Sequence, residues 1–307
     1  MNASFVGLGA MGAPMASNCL RAGLALTVFD INPEPVERLR AEGAATAASL
    51  AEAASGSDLV ITMLPATAQV LEVITGPEGL LRHLQPGAAI MEMSTIAPEG
   101  SDQVAAACAE AGVRFLDAPV GRLVSHAIAG ESLFMVGCSC EALFALVQPY
   151  LDAMGTTIIR CGGAGSGVRA KLVNNFQLLT IAQVTAEALV LAERLGLEIA
   201  TVKEINAATT AANGQMQVNF ASKVLAGDTE PGFTIDLAHK DMGLALEAAA
   251  QARLGLPVGA AAHSVYGSAR GSAFAGRDFS ALLDYAAELA GLGRIRLGET
   301  KAIGKEV

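Results

Sequence analysis

One hexapeptide near the N-terminus narrows the options for this chain more than any other feature: Gly7-Leu8-Gly9-Ala10-Met11-Gly12. It closes a short apolar run, Phe5-Val6, and opens a helical pattern, so it reads as a strand–turn–helix corner. Gly7 permits the tight turn, Gly9 lets a ligand reach the backbone, and Gly12 lets helix pack on strand. The amides of Ala10 and Met11 then lie at a positive helix end, which suits phosphate oxygens. Asp30 follows 18 residues after Gly12, at the tip of the next apolar run. That is close to the ~20-residue offset of an acid that accepts both ribose hydroxyls of a dinucleotide. No Arg lies within 31–35 to receive a 2′-phosphate, so the pattern favours NAD over NADP. A bare glycine turn with a solvent-facing acid is the alternative reading.

The surrounding pattern agrees with the corner. Residues 3–7, 25–30, 59–64, 88–94, 113–117, 133–137 and 156–161 read as strands, most of them continuously apolar. Such runs belong to parallel strands covered on both faces. Amphipathic helical stretches such as 11–22, 33–42 and 98–111 lie between them, so an α/β fold with a doubly wound parallel sheet is expected over 1–161. After 161 the pattern changes. Gly162–Gly167 (GGAGSG) reads as a flexible joint or helix-entry turn; it lacks the spacing of a phosphate loop. Residues 168–195 then run for 28 positions without Gly or Pro, roughly 40 Å of helix. Helices follow at 199–211, 235–254, 257–271 and 280–289, so 162–307 is read as an all-α domain for substrate and oligomerisation.

Composition excludes other classes. The formal charge of −10 disfavours nucleic acid, whose phosphates need clustered Lys and Arg, and the absence of Trp leaves few stacking platforms. No run of about 18 uninterrupted apolar residues suggests a membrane span. The first residues enter the glycine turn without a basic stretch or signal-type apolar core, and five cysteines form an odd set without CxxC. A cytoplasmic chain with free thiols is therefore expected. His83, His126, His239 and His263 lie far apart in sequence and match no metal-ligand spacing, so no metal is expected.

Two polar features suggest chemistry. Lys171, Asn174, Asn175 and Leu178 occupy i, i+3, i+4 and i+7 of the long helix and share one face, flanked by apolar Leu172, Val173, Phe176 and Leu179. A desolvated Lys beside carboxamides is a candidate proton carrier; a Lys whose stem lies on the core while its head reaches water is the plainer alternative. Arg122 follows the 113–117 strand in Asp117-Ala118-Pro119-Val120-Gly121-Arg122, where loops of such sheets gather ligands. Its fork suits a small oxyanion, although a surface Arg paired with Glu131 or Asp117 fits the sequence equally.

These pieces, in this order, resemble the β-hydroxyacid dehydrogenase family, of 3-hydroxyisobutyrate dehydrogenase type. The resemblance rests on FVGLGAMGAPMASN (5–18), ITMLP (61–65), MSTIAP (93–98), DAPV (117–120), GSGVRAKLVNN (165–175) and DLAHKDMGLAL (236–246). It implies an NAD-dependent oxidoreductase with a homodimeric or homotetrameric assembly. It places the cofactor loop at Gly7, Gly9 and Gly12, the ribose acid at Asp30, a turn beside the cofactor at Leu64-Pro65 and a nicotinamide-side threonine at Thr95. It assigns catalysis to Lys171, carboxamide partners to Asn174 and Asn175, and a second lysine that approaches the cofactor to Lys240. One departure matters. Many members read DAPVSGG, with Ser and two Gly anchoring a carboxylate, whereas this loop reads DAPVGR. Gly121-Arg122 in place of that anchor suits a tetrahedral sulfonate among small anionic aldehydes or hydroxy acids, with a carboxylate as the rival anion. Leu178, at a position facing the pocket in that resemblance, is apolar and offers substrate no hydrogen bond. A non-catalytic cofactor-binding scaffold would be expected to lose the lysine.

Overall fold

A computed structural model describes residues 1–298 as two compact units, Met1–Val173 and the chain from Asn174 onward. In the first unit, β1 (Ala3–Val6), β2 (Leu26–Phe29), β3 (Ala45–Thr46), β4 (Leu59–Thr62), β5 (Ala89–Glu92) and β6 (Arg114–Asp117) are parallel, in the order β3-β2-β1-β4-β5-β6. The order reverses beside β1, the switch point beyond which open sheets of this kind bind ligands. Continuous apolarity follows from two-sided burial. Phe5, Ile61 and Met91 enter one core with Met15 and Cys19 of α1 (Gly12–Arg21) and Leu39 of α2 (Pro33–Ala41). Their neighbours Val6, Val60 and Ile90 enter a second core. There they meet Ala53 of α3 (Leu50–Ala54), Val70 and Ile74 of α4 (Thr67–Thr75), and Val104 and Cys108 of α5 (Pro98–Glu110).

The doubly wound fold is the expected one, and each expected strand is present, with a different edge. Beyond β6 the chain runs on through Pro119 into β7 (Val120–Gly121), whose two residues pair antiparallel with Phe134 and Leu133 of β8 (Ser132–Gly137) in the register that Asp117 and Gly137 begin. β8 therefore runs antiparallel to β6, while β9 (Gly155–Gly162) returns parallel to β8. The reversal is made by the segment after Gly121, which holds the short α6 (Val124–Ala129) and ends in Gly130 at φ +72°. α7 (Glu141–Met154) covers this edge with Val147, Tyr150 and Leu151 in the first core.

α8 (Ser166–Arg194) leads from the first unit into the second. Its Leu179, Ala182, Ala186 and Leu189 recur at helical spacing in the core of the second unit. They are joined there by Met242 of α11 (Ile235–Gln251), Tyr266 of α12 (Pro257–Arg270) and Leu282 of α13 (Leu282–Leu289). α9 (Ile199–Ala208), a π-helical turn at Gln215–Asn219 and the short α10 (Phe220–Ser222) complete the unit. Val173, expected on the buried flank of α8, is instead 70% exposed, one helical step of about 100° away from buried Leu172. Among the described residues α8 is also the one helix long and apolar enough, by length and composition alone, to cross a membrane.

The glycine corner is tight. Gly7 holds φ +96°, and a side chain at Gly12 would collide with the Gly7 carbonyl. Gly12→Ala is expected to cost about 1–3 kcal/mol of stability through this overpacking and to weaken NADH binding. Paired thermal melts and NADH fluorescence titrations would show both effects, and an unchanged melt would contradict the packing argument.

Candidate active site

The carboxyl ends of β1, β2, β4, β5 and β6 carry a set of interlocked turns. The Gly7 amide donates to the Phe29 carbonyl at 3.0 Å, which fastens the glycine loop to the end of β2. Asp30, just beyond, accepts from the Leu8 amide at 2.6 Å through one oxygen and from the Asn32 amide at 2.7 Å through the other. Each carboxylate oxygen keeps a second acceptor site, so Asp30 can brace the loop and still receive ribose hydroxyls. Gly9 and Ala10 are exposed at the start of α1, and nothing lies within 4 Å of where a Cβ on Gly9 would stand. That open surface in front of helix-end amides fits a pyrophosphate.

Two buried acids organise the next turns. Glu92 and Asp117 are register partners at the ends of β5 and β6, and both are fully buried. Glu92 accepts from the Ser94 amide at 2.8 Å, and the Ser94 hydroxyl accepts from the Leu64 amide at 2.8 Å. The Leu64-Pro65 turn and half-buried Thr95 are thereby tied to one another across β4 and β5. Asp117 accepts from the Gly165 amide at 2.6 Å and the Val168 amide at 2.7 Å, and so caps α8. Burial pushes its carboxyl above the usual carboxylate range, against the pull of these amides. A side chain at Gly137 or Gly167 would strike the Asp117 carboxylate. The 162–167 glycines therefore form a helix entry, with Ser166 bonded back to the Gly163 carbonyl at 3.0 Å.

Lys171 lies half-buried early in α8, close along the chain to this cap. Asn175, one turn further on, is buried, whereas Asn174 is exposed. In the second unit Asn175 donates to Asp241 at 2.7 Å and accepts from Asn174 at 3.3 Å, while Lys240 pairs with Asp241 at 3.0 Å. Asp241 is 3% exposed and fixes which way the Asn175 amide faces. Neither Asp117 as a helix cap nor Asp241 as an anchor was assigned from sequence. The available signal was an acid inside each quoted motif, DAPV and HKDM.

Arg122 occupies a position that L residues rarely adopt, with φ +73°. Buried Gly121 precedes it, and its exposed guanidinium donates to the Glu131 carbonyl and to the hydroxyls of Thr156 and Thr157, both at 3.0 Å. The bond to Glu131 goes to the backbone, and Asp117 is engaged by α8 instead. Among the described residues no group of three or more His, Cys, Asp or Glu side chains is arranged to hold a metal.

A dinucleotide fold with a glycine loop at its switch point and an acid at the end of β2 defines the class of NAD-binding proteins. The comparisons agree. Residues 2–163 match the model for the NAD-binding domain of 6-phosphogluconate dehydrogenase, and 165–286 that for the NAD-binding domain of NADP-dependent 3-hydroxyisobutyrate dehydrogenase. The chain is 40% identical over 289 residues to 3-sulfolactaldehyde reductase of Escherichia coli K12, covering 94% of this chain and 97% of that one. It is also 40% identical over 284 residues to an NAD-dependent L-serine dehydrogenase of Pseudomonas aeruginosa, covering 90% and 95%. The solved structure of Mycobacterium tuberculosis 3-hydroxyisobutyrate dehydrogenase with L-serine superposes with a TM-score of 0.87 at 34% identity, covering 93% and 98%. The chain belongs to the β-hydroxyacid dehydrogenase family.

Asp117→Ala is expected to leave two buried amides without an acceptor and to cost about 2 kcal/mol. Denaturant unfolding measures this. Asp117→Asn, which keeps one acceptor, should recover part of the loss, and equal destabilisation by both variants would contradict the capping role.

Proposed function

We propose that this protein reduces a short aldehyde carrying a distal anion, with 3-sulfolactaldehyde as the preferred substrate and 2,3-dihydroxypropane-1-sulfonate as product. The observation that carries this reading is Arg122 at φ +73°. A left-handed backbone there costs an L residue roughly 1–2 kcal/mol, and a glycine would remove that strain. The side chain is retained in spite of it. The guanidinium is held by one carbonyl and two neutral hydroxyls. A substrate sulfonate offers charge-assisted bonds about twice as strong, so exchange of those partners for the anion is favourable.

NAD(H) supplies and accepts the hydride. Gly7, Gly9, Gly12 and the amides of Ala10 and Met11 would hold its pyrophosphate, Asp30 its ribose, and Leu64, Pro65, Thr95 and Lys240 would line its nicotinamide end. As an ammonium, Lys171 gives a proton to the aldehyde oxygen; as an amine it takes that proton back in the reverse direction. Asn175, oriented by Asp241, fixes the reacting oxygen or the lysine, and Asn174 takes a substrate hydroxyl.

The rival substrate is a carboxylate of the succinic semialdehyde, 3-hydroxyisobutyrate or tartronate semialdehyde type. Identity does not choose, since relatives named for a sulfonate and for L-serine are both 40% identical. Leu178, half-buried and apolar, offers neither anion a hydrogen bond.

We place the reaction in the cytoplasm. All five cysteines are free, and burial pushes the Cys19 and Cys108 thiols up to about 12, which keeps them protonated. A homodimer or homotetramer is proposed on the exposed Val184 and Leu191 of α8.

NADH-consumption assays should give a higher kcat/KM for 3-sulfolactaldehyde than for succinic semialdehyde. Arg122→Gly should raise KM for the sulfonate by about tenfold or more, the worth of one charge-assisted contact, and leave neutral glyceraldehyde unaffected. Preference for succinic semialdehyde would overturn the sulfonate reading, and equal losses on glyceraldehyde would overturn the clamp.

A further inference from the structure

His239 and His263, 24 residues apart in the chain, are stacked in the second unit with ring centroids 4.0 Å apart and planes 24° apart. His239 lies on α11 directly before Lys240 and Asp241, and His263 lies on α12. The contact is reciprocal. His263 stands against the backbone of Gly243 on α11, and His239 against that of Gly267 on α12. Arg270 of α12 adds a second tie, donating to Asp236 of α11 at 2.6 Å and to His239 Nδ1 at 3.1 Å.

Both rings are built to stay neutral. An arginine only donates, so His239 Nδ1 accepts from Arg270, and a proton arriving there would meet the guanidinium. His263 donates to the His239 backbone carbonyl. That leaves Nε2 as its basic nitrogen, and this atom is buried without a hydrogen-bond partner among the described residues. Asp236 faces the stack from α11 and Arg270 from α12; Asp236 favours the charged ring at His239, but it is already paired with Arg270. Desolvation first, then the neighbouring His263 and Arg270, hold His239 below its ordinary value of 6.5. Desolvation first, then Arg270, do the same to His263.

We propose that the His239–His263 stack is a proton-sensitive clamp that sets α11 against α12, and thereby positions Asp241 and, through it, Asn175. The role of Asn175 rests on the proposed function; the clamp itself does not. The sign follows from the direction of the shifts. Because the folded-state values are depressed, the stabilisation is present above about 6.5 and is lost as pH falls through the folded-state values. Acid then adds charge to a pair that takes it up less readily while stacked, and α11 loosens with its Lys240-Asp241 pair.

The test is amide hydrogen exchange of α11 on the full-length protein at pH 7.5 and 5.5, corrected for intrinsic exchange rates. The wild type is expected to lose protection at least tenfold on acidification. His263→Phe keeps a stacked ring and removes one of the two titrating imidazoles, so its loss of protection should be smaller than that of the wild type. If it folds poorly, His263→Gln retains a donor without titrating and is expected to behave the same way. Adding His239→Gln should abolish the loss. An equal loss in these variants, or none in wild type, overturns the clamp. A steady-state arm should show kcat falling on the acid side in wild type and a flatter profile in the variant. If no aldehyde is turned over, the proposed function fails while the exchange result still decides the clamp.

Discussion

The buried carboxylate of Asp117 is the interaction on which the rest of this site depends. It ends β6, and it accepts the Gly165 and Val168 amides that begin a helix of 29 residues. A negative group here satisfies two amides that would otherwise be orphaned and opposes the positive end of the helix dipole. The cost is desolvation, visible as a carboxyl raised above its usual range. Glycines at 137 and 167 keep the slot clear. Lys171 follows on the second turn, so the cap sets where the helix that carries it begins.

Glu92 extends the same logic sideways. Paired in register with Asp117, it holds the Ser94 turn, which in turn holds Leu64. Two adjacent acids therefore organise the turns at the ends of β4 and β5 and the helix that carries the lysine. Further along α8, the second unit repeats the device, with Asp241 gripping Asn175. Every polar group proposed to touch the reacting oxygen is thus a side chain of one helix, and each end of that polar stretch is fixed by a buried carboxylate from elsewhere in the sequence.

What was legible in the sequence was local. The glycine corner, the acid at Asp30 and the apolar parallel strands follow from turn sterics, helix-end amides and two-sided burial, all of which act over a few residues. The polar face of α8 was legible for the same reason, since helical spacing alone places Lys171 beside Asn174 and Asn175. Asp117 and Asp241 were not assigned, because their partners lie 48 to 66 residues away and only folding brings them together. The antiparallel return of β8 depends on a two-residue strand, too short to leave a period. The left-handed backbone of Arg122 and its threonine partners, 34 and 35 residues on, have no local signature either. Four histidines read as scattered proved to include a stacked pair.

The central claim is that α8, capped by Asp117, delivers Lys171 as the proton carrier. Single-turnover hydride transfer by Lys171→Ala, with and without added alkylamine, tests it most directly. The account predicts a fall in the transfer rate of about 10²–10⁴-fold, partial recovery with the amine, and an unchanged Kd for NADH. Transfer at near wild-type rate, with the same NADH affinity, would contradict it.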